Sequence, residues 1–414
     1  MTAAIGEMHL VKLNVLVVTK TYSTSLGVIR SLGRAGRTVD LFYVEGTPGV
    51  SKIVSSSRYV RRTILAYGRR DEEIVDRIAR EYAGREAETF LFPTDDYAAS
   101  LIDRFADRLK GFRRPTAGDG QPGRITALMD KAVQSRLARD NGFPTAREWI
   151  IPLGEGAVRI PGDVAIPCFV KPLVSARGFK NELGVCRTRE ALQEKLLSLQ
   201  KASADRSIMV QELLDVTQEY SMSGLCLGQQ IVLPAIVKKL RVAEKERGVT
   251  LYGELVDVDT IAPVRDALFR TLQALDYTGM FDMEIMCTPD KMYFGEINLR
   301  SGGPNFSYCA AGVNLPEMLL AHAEGAPVPA GQIALHKRFL YEKAAWEDCE
   351  AGFMTKDELD GLYREADILL LDQPDDPGPG QAFERFKQGK LKPTAPEILR
   401  RKLKSAARRI FGRW

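Results

Sequence analysis

The chain has 414 residues, 45% hydrophobic and 27% charged, with a formal net charge of +4. That length predicts two or three domains with ample apolar cores, and so small a charge gives no electrostatic reason for a nucleic-acid partner. No apolar run reaches the roughly 18 residues of a transmembrane helix, and the N-terminal apolar stretch lacks a basic region ahead of it, so a cytoplasmic protein is expected. The six cysteines (Cys168, Cys186, Cys226, Cys287, Cys309 and Cys349) form no C-x-x-C pair and lie scattered in apolar segments. That predicts reduced thiols rather than a zinc site or a disulfide framework.

In chain order, residues 13–19 (LNVLVVT) are apolar and β-branched and predict a buried parallel strand. Residues 25–36 place Leu26, Ile29, Leu32 and Ala35 at helical spacing, with Gly36 as a stop. A strand is expected over 38–44, a charged amphipathic helix over 71–82, a strand over 88–93 and a helix over 97–109. The alternation predicts a parallel sheet with helices on its faces, over about residues 10–118. Leu91-Phe92-Pro93-Thr94-Asp95-Asp96 ends one of these strands, where open parallel sheets hold ligands. Asp95 or Asp96 therefore either binds an amine substrate or caps the next helix.

The Gly/Pro-rich stretch 115–123 is a connector. A helix over 125–141, strands over 148–151, 168–172, 184–187 and 208–213, and a helix over 191–200 predict a small α+β domain, spanning 124–219. A third block, 220–345, has strand segments at 220–227, 230–240 and 251–257, a helix at 264–275, and strands 279–287 and 292–298 around the turn Thr288-Pro289-Asp290-Lys291. A helix at 315–324 follows. Residues 346–414 form a C-terminal extension.

The last hairpin carries the clearest chemistry. Side chains alternate along a strand, so Asp282 and Glu284 share a face, as do Glu296, Asn298 and Arg300. If the two faces coincide, carboxylates and an amide oxygen converge into a hard-oxygen set suited to Mg²⁺ on a nucleotide's phosphates. Arg300 adds a planar fork for phosphate or carboxylate. The sequence has no G-x-x-x-x-G-K-[ST] loop, and its three histidines form no triad-like or metal-like group.

Glu296-x-Asn298-x-Arg300, preceded by an acidic residue on the neighbouring strand, resembles the metal-binding strand pair of the ATP-grasp superfamily. The continuation SGGPNFSYCAAGVNLPEMLLAHAEG is similar to carbamoyl-phosphate-synthase-like members. The implied fold is an α/β N-terminal Rossmann-like (pre-ATP-grasp) domain followed by two α+β subdomains of an ATP-grasp fold, the first a lid. The resemblance implies ATP and one or two Mg²⁺ as cofactors, with Mn²⁺ an acceptable substitute. It makes Glu284, Glu296 and Asn298 the metal ligands, and Lys131 and Lys171 the phosphate-binding lysines, in keeping with the affinity of an ammonium for phosphate. It makes the loop after Lys171, with Gly178, Ser175, Arg177 and Lys180, a closing loop over the phosphates. Glu212, Leu213 and Leu214 become the adenine hinge, and Glu219, seven residues after Glu212, the ribose acid. Lys238 or Lys239 faces the γ-phosphate, Lys238 being the cofactor-binding choice. Arg300, Lys171 and Asn298 become the catalytic residues.

The implied activity is carboxylate–amine ligation through an acyl phosphate, with small-molecule carboxylate and amine substrates, an amino acid among them. The alternatives are a bicarbonate-activating enzyme of the carbamoyl-phosphate or biotin-carboxylase kind and a non-catalytic ATP-binding regulator. Glu365-Ala366-Asp367-Ile368 and Asp376-Pro377-Gly378-Pro379 resemble the C-terminal part of D-aspartate-ligase-like proteins. In the tail 385–414, Ile398, Leu399, Leu403, Ile410, Phe411 and Trp414 alternate with Arg and Lys, a basic amphipathic pattern suited either to an anionic membrane surface or to packing on the body. Oligomeric state is left open by the sequence.

Overall fold

The computed structural model describes residues 12–44, 49–66, 70–154, 156–174, 184–202, 207–246 and 248–391. The first domain runs β1 (Asn14–Thr19), α1 (Ser23–Arg34), β2 (Val39–Val44), α2 (Val50–Ser55), β3 (Val60–Ala66), α3 (Asp71–Glu81), β4 (Thr89–Pro93) and α4 (Asp96–Arg104). Its four strands are parallel, in the order β3-β2-β1-β4. Leu16, Val18, Phe42 and Ile64 pack on Ile74, Ile78 and Leu101 on one face. Val15, Val17, Leu41 and Tyr43 pack on α1 residues and on apolar residues of the large sheet on the other. The strand β3 and helix α2 are absent from the sequence-based expectation. Arg61 and Arg62 give β3 a polar look, but Arg61 reaches buried Asp40 at 2.9 Å, a partner only the folded sheet supplies.

Beyond the two-residue β5 (Thr116–Ala117), the expected helix over 125–141 is two helices, α5 (Arg124–Leu128) and α6 (Lys131–Asp140). Asp130 stands between them as the N-cap of α6, its side chain accepting from the Ala132 and Val133 N–H groups. An N-cap carboxylate outbids helix continuation because it satisfies donors that a new helix start leaves open. Ile125, Met129, Ala138 and Phe143 share a core with Met283, Ile285 and Leu299. Both helices thus belong to the large sheet, and not to the lid where the expected 124–219 boundary puts them.

The lid is its own antiparallel sheet of β6 (Glu148–Pro152), β7 (Cys168–Pro172), β8 (Gly184–Cys186) and, after α7 (Arg189–Ala202), β9 (Ser207–Glu212), ordered β6-β9-β7-β8. Val170 and Val210 pack there on Leu192 and Leu196 of α7. The large sheet holds nine strands. β10 (Gln218–Leu227), β11 (Gln230–Val232), β12 (Ile236–Val242), β13 (Thr250–Val256), β14 (Tyr277–Cys287), β15 (Met292–Asn298), β16 (Arg338–Leu340) and β17 (Ile368–Leu369) join β5, along the path β15-β14-β10-β12-β13-β16-β17. The segment 230–240, expected as one strand, breaks at Leu233-Pro234-Ala235, since proline has no N–H for a ladder. Helices α8 (Ala262–Gln273), α9 (Asn305–Ala310), α10 (Leu315–Ala323), α11 (Glu342–Glu350), α12 (Lys356–Glu365) and α13 (Gly378–Lys387) complete the fold.

The C-terminal extension closes over the first domain. Arg30, 1% exposed, donates to Asp376 Oδ2 (2.8 Å) and to the Leu370 and Leu371 carbonyls (2.8 Å each). Asp376 in turn accepts from Ser57 Oγ (2.8 Å) and the Arg58 N–H (2.9 Å). The amphipathic tail lies for the most part, from residue 392, outside the described residues. No helix among the described residues is long and apolar enough to cross a membrane.

Candidate active site

The register of the last hairpin brings its polar faces together. Asp282 sits opposite Asn298, and Met283 opposite Ile297. A register shift between Met283 and Ile285 sets Glu284 against Gly295 and Glu296, where a Cβ on residue 295 would come within 2.9 Å of the Glu284 carbonyl. On the other side of β14, Ser221 and Ser223 of β10 lie opposite Glu284 and Asp282. One sheet face thus carries Glu219, Asp282, Glu284, Glu296 and Asn298.

Three cations close on these acids. Helix α6 is clipped to β15 by the Gln134 amide, which donates to the Ile297 carbonyl (2.6 Å) and accepts from its N–H (3.1 Å). The Lys131 N–H donates to the Leu173 carbonyl just past the lid strand β7 (2.9 Å). So anchored, Lys131 Nζ lies 2.7 Å from Glu296 Oε2. Lys239 Nζ, buried, donates to Glu219 Oε2 (2.7 Å) and Glu284 Oε1 (2.9 Å). Arg300 spans Asp96 Oδ1 and Asp282 Oδ2, both at 3.1 Å, and so ties the metal-type strand to the first domain. Asn298 Nδ2 donates to Glu296 Oε1 (3.3 Å), which turns its own amide oxygen away from that contact. Gly302 allows the closest approach: a methyl there would overlap Asp282 Oδ1 and Ser223 Oγ.

Burial sets the electrostatics. Against the pull of Lys239, burial and the neighbouring Glu296 charge push the Glu284 carboxyl up to about 7. For Glu296 burial is outweighed by Lys131, which with Lys171 and Asn298 holds it down at about 2. Burial and the like charge of Lys131 bring the Lys171 ammonium down to about 8. Burial also raises Asp282, with Arg300 opposing. Lys239 is held protonated by Glu284 and Glu219 although burial disfavours its charge. A carboxyl lifted as far as Glu284 is short of positive charge, and a divalent cation is the natural remedy. Glu284, Glu296 and the Asn298 amide oxygen offer hard ligands suited to Mg²⁺. As they stand, these acids point at lysines, and no group of three or more His, Cys, Asp or Glu side chains is arranged as a ready metal site among the described residues.

Several expected residues fall elsewhere. Lys238 is not in the cluster: alternation puts it on the opposite sheet face with Ile236, and the adjacent Lys239 makes the contacts. The one-residue difference flips the face, and nothing in a Lys-Lys pair tells which is which. Glu212 spends its carboxylate on Arg147, accepting from the backbone N–H (2.8 Å) and from Nε (2.7 Å). The Leu213 N–H donates to the Pro167 carbonyl (3.2 Å), while no backbone bond to the Leu214 N–H occurs among the described residues. Glu219 is paired through Oε2 to Lys239. Ser175, Arg177, Gly178 and Lys180 lie outside the described residues. Asp95 is the N-cap of α4, accepting from the Ala98 N–H at 2.9 Å, whereas Asp96 faces Arg300. Asp282 and Asp96 were both singled out in the sequence, but their pairing with Arg300 was not, because it joins a strand end of the first domain to the hairpin of the large sheet.

No protein-family model matches the chain. The chain is 23% identical over 229 residues to the carbamoyl phosphate synthase large chain of Corynebacterium glutamicum, covering 54% of this chain and 20% of that one. It is 21% identical over 187 residues to the large chain from Agathobacter rectalis, covering 43% and 17%. The chain therefore matches about a fifth of the length of these curated relatives. Among solved structures, N5-carboxyaminoimidazole synthetase of Staphylococcus aureus with ADP superposes with a TM-score of 0.61 at 13% identity, covering 92% of this chain and 98% of that one. Biotin carboxylase of Campylobacter jejuni gives 0.60 at 15% identity, covering 79% and 75%. L-amino acid ligase of Bacillus licheniformis gives 0.57 at 14% identity, covering 75% and 74%. The chain has the ATP-grasp fold.

Proposed function

We propose that this chain is an ATP-dependent carboxylate–amine ligase, forming an amide bond through an acyl phosphate, with an amino acid among its substrates. The observation that carries the reading is the convergence of Lys131, Lys239 and Arg300 on Glu296, Glu284, Glu219 and Asp282, with Lys171 on the adjoining lid strand β7. Phosphoryl transfer needs positioning and charge neutralisation more than a covalent enzyme group, and this is a site of charges held by buried partners.

In the proposed mechanism the nucleotide lies between lid and large sheet. The backbone of Glu212–Leu214 meets adenine, with the Leu214 N–H as a donor, and Glu219 Oε1 meets the ribose. Lys131 and Lys171 exchange their carboxylate and like-charge environment for the phosphates; for Lys171 the exchange is favourable because a bound polyanion restores its full charge. Glu284, Glu296 and Asn298 would hold Mg²⁺, which would supply neutralisation of the phosphate charge. Arg300, held by Asp96 and Asp282, presents its remaining N–H groups to the carboxylate as it becomes the acyl phosphate. ADP leaves as the carboxylate oxygen takes the γ-phosphoryl group; the amine then attacks the acyl carbon, phosphate leaves as the C–O bond breaks, and the nitrogen gives up a proton. Closure of the lid keeps water from the acyl phosphate.

The test is Mg²⁺-dependent phosphate release from ATP across a panel of D- and L-amino acids and simple peptides, with Glu296→Gln as control. Release that needs an amino acid and disappears in the variant supports the ligase. Release in amino-acid-free bicarbonate buffer favours the bicarbonate-activating alternative. ATP binding with no release under any condition favours a non-catalytic nucleotide sensor, and no ATP binding overturns the proposal.

A further inference from the structure

In the first-domain sheet, ordered β3-β2-β1-β4, the chain winds outward from β1 to β2 and β3 and then returns to place β4 on the other side of β1. The crevice at the carboxyl ends of β1 and β4 is thus a topological switch point, where open α/β sheets hold their ligands. Two loops meet there, Thr19-Lys20-Thr21 after β1 and Thr94-Asp95-Asp96 after β4.

Among the described residues, the acids of these two loops and Asp71 beside them are already engaged. Asp95 accepts from the Lys20 N–H (2.5 Å), Thr19 Oγ1 (3.1 Å) and the Ala98 N–H (2.9 Å). Asp71 accepts from Tyr97 Oη (2.5 Å) and Arg104 (2.7 Å). Asp96 turns to Arg300 and so joins the crevice to the large-sheet cluster. The Lys20 ammonium, by contrast, has no ion pair among the described residues. It lies over the Tyr97 ring, 3.1 Å from the centroid, a contact that orients a cation without neutralising it. Burial disfavours its charge, with Asp95 and Asp71 only partly offsetting that. At the strand ends Thr94, fully buried, donates its N–H to the Val18 carbonyl (3.3 Å), and its hydroxyl has no partner among the described residues. A half-buried ammonium with no ion pair among the described residues, at a switch point bridged to Arg300, is placed to meet an anion.

We propose that Lys20 binds an anionic group of the amine co-substrate, a carboxylate or a phosphate, so that the acceptor is an amino acid or a phosphorylated amine and not a simple amine. This rests on the ligase reading and names the acceptor class for the same site.

The experiment has two arms on the full chain. In the first, phosphate release is measured with amino acids, their carboxamides and O-phosphoethanolamine, for wild type, Lys20→Gln and Lys20→Arg. Lys20→Gln is expected to raise the acceptor KM at least tenfold while the ATP KM stays within twofold, with Lys20→Arg recovering most of the loss and the carboxamides indifferent to either change. An unchanged acceptor KM, or an equal rise for acid and carboxamide, overturns the assignment. Preference between the amino acids and O-phosphoethanolamine identifies the anion. In the second arm, reductive methylation of Lys20 is followed by mass spectrometry with millimolar amounts of the same compounds. Protection by the anionic compounds and not by the carboxamides supports the subsite, and protection without turnover leaves the subsite standing while sinking the ligase reading. Protection by none overturns the assignment even if the enzyme turns over.

Discussion

Glu284→Gln should stabilise the nucleotide-free protein at alkaline pH while abolishing its response to Mg²⁺ and ATP. The Glu284 carboxyl rises from 4.5 to about 7 in the fold, chiefly through burial. Below about pH 4.5 folded and unfolded chains both carry the proton, so the site costs nothing. As pH climbs towards 7 the unfolded chain ionises freely and the folded one resists, so stability falls through that window. The full rise is equivalent to roughly 3 kcal/mol. The side chain is 29% exposed, so solvent relieves part of it and about 1–2 kcal/mol is the working figure. Glutamine keeps an oxygen for the Lys239 bond and imitates the protonated acid at every pH. Urea unfolding of the apo protein at pH 5, 6, 7 and 8 should therefore show the variant gaining on wild type by about 1–2 kcal/mol across the series. Adding MgATP should shift only wild type upward. A stability difference that does not change with pH, or a variant less stable than wild type at pH 8, would refute the reasoning.

ATP affinity of the free enzyme should weaken as pH rises through about 8, because Lys171 loses there the charge that binds phosphate; titration calorimetry from pH 6.5 to 9.5 reads it, and Lys171→Arg should flatten the curve. Arg300→Met strands Asp282 and Asp96 without their cation, which should cost roughly 3 kcal/mol by urea unfolding and at least ~10²-fold in turnover. Arg30→Met should cost about 3–5 kcal/mol by leaving the Asp376 carboxylate buried and unpaired, and Arg30→Met with Asp376→Leu should recover much of it. Lys239→Met should lower the protein's stability and ATP binding, whereas Lys238→Met should leave ATP binding within about twofold, because only Lys239 is bonded to Glu219 and Glu284.

Much of the arrangement was present in local pattern. Short runs of predominantly apolar residues marked β1, β2 and β4, since strands covered on both faces are largely apolar. Alternation along 282–284 and 296–300 put the acids, the amide and the arginine on common faces before any register was known. What alternation cannot supply is which faces meet, and that was decided by the pairing of Asp282 with Asn298 and of Ser221 with Glu284. The division of one expected helix at Asp130 came from a local N-cap, whereas the identity of Lys239 as the paired lysine and the polar-looking β3 depended on partners distant in the chain. So did the shared core that draws α5 and α6 to the large sheet. The charges followed the same division. The sequence by itself determined which ionisable groups exist and which alternate together. Only the tertiary structure decided their protonation, because burial and a partner within about 3 Å, brought from remote segments, outweigh anything a group's own neighbours in sequence contribute.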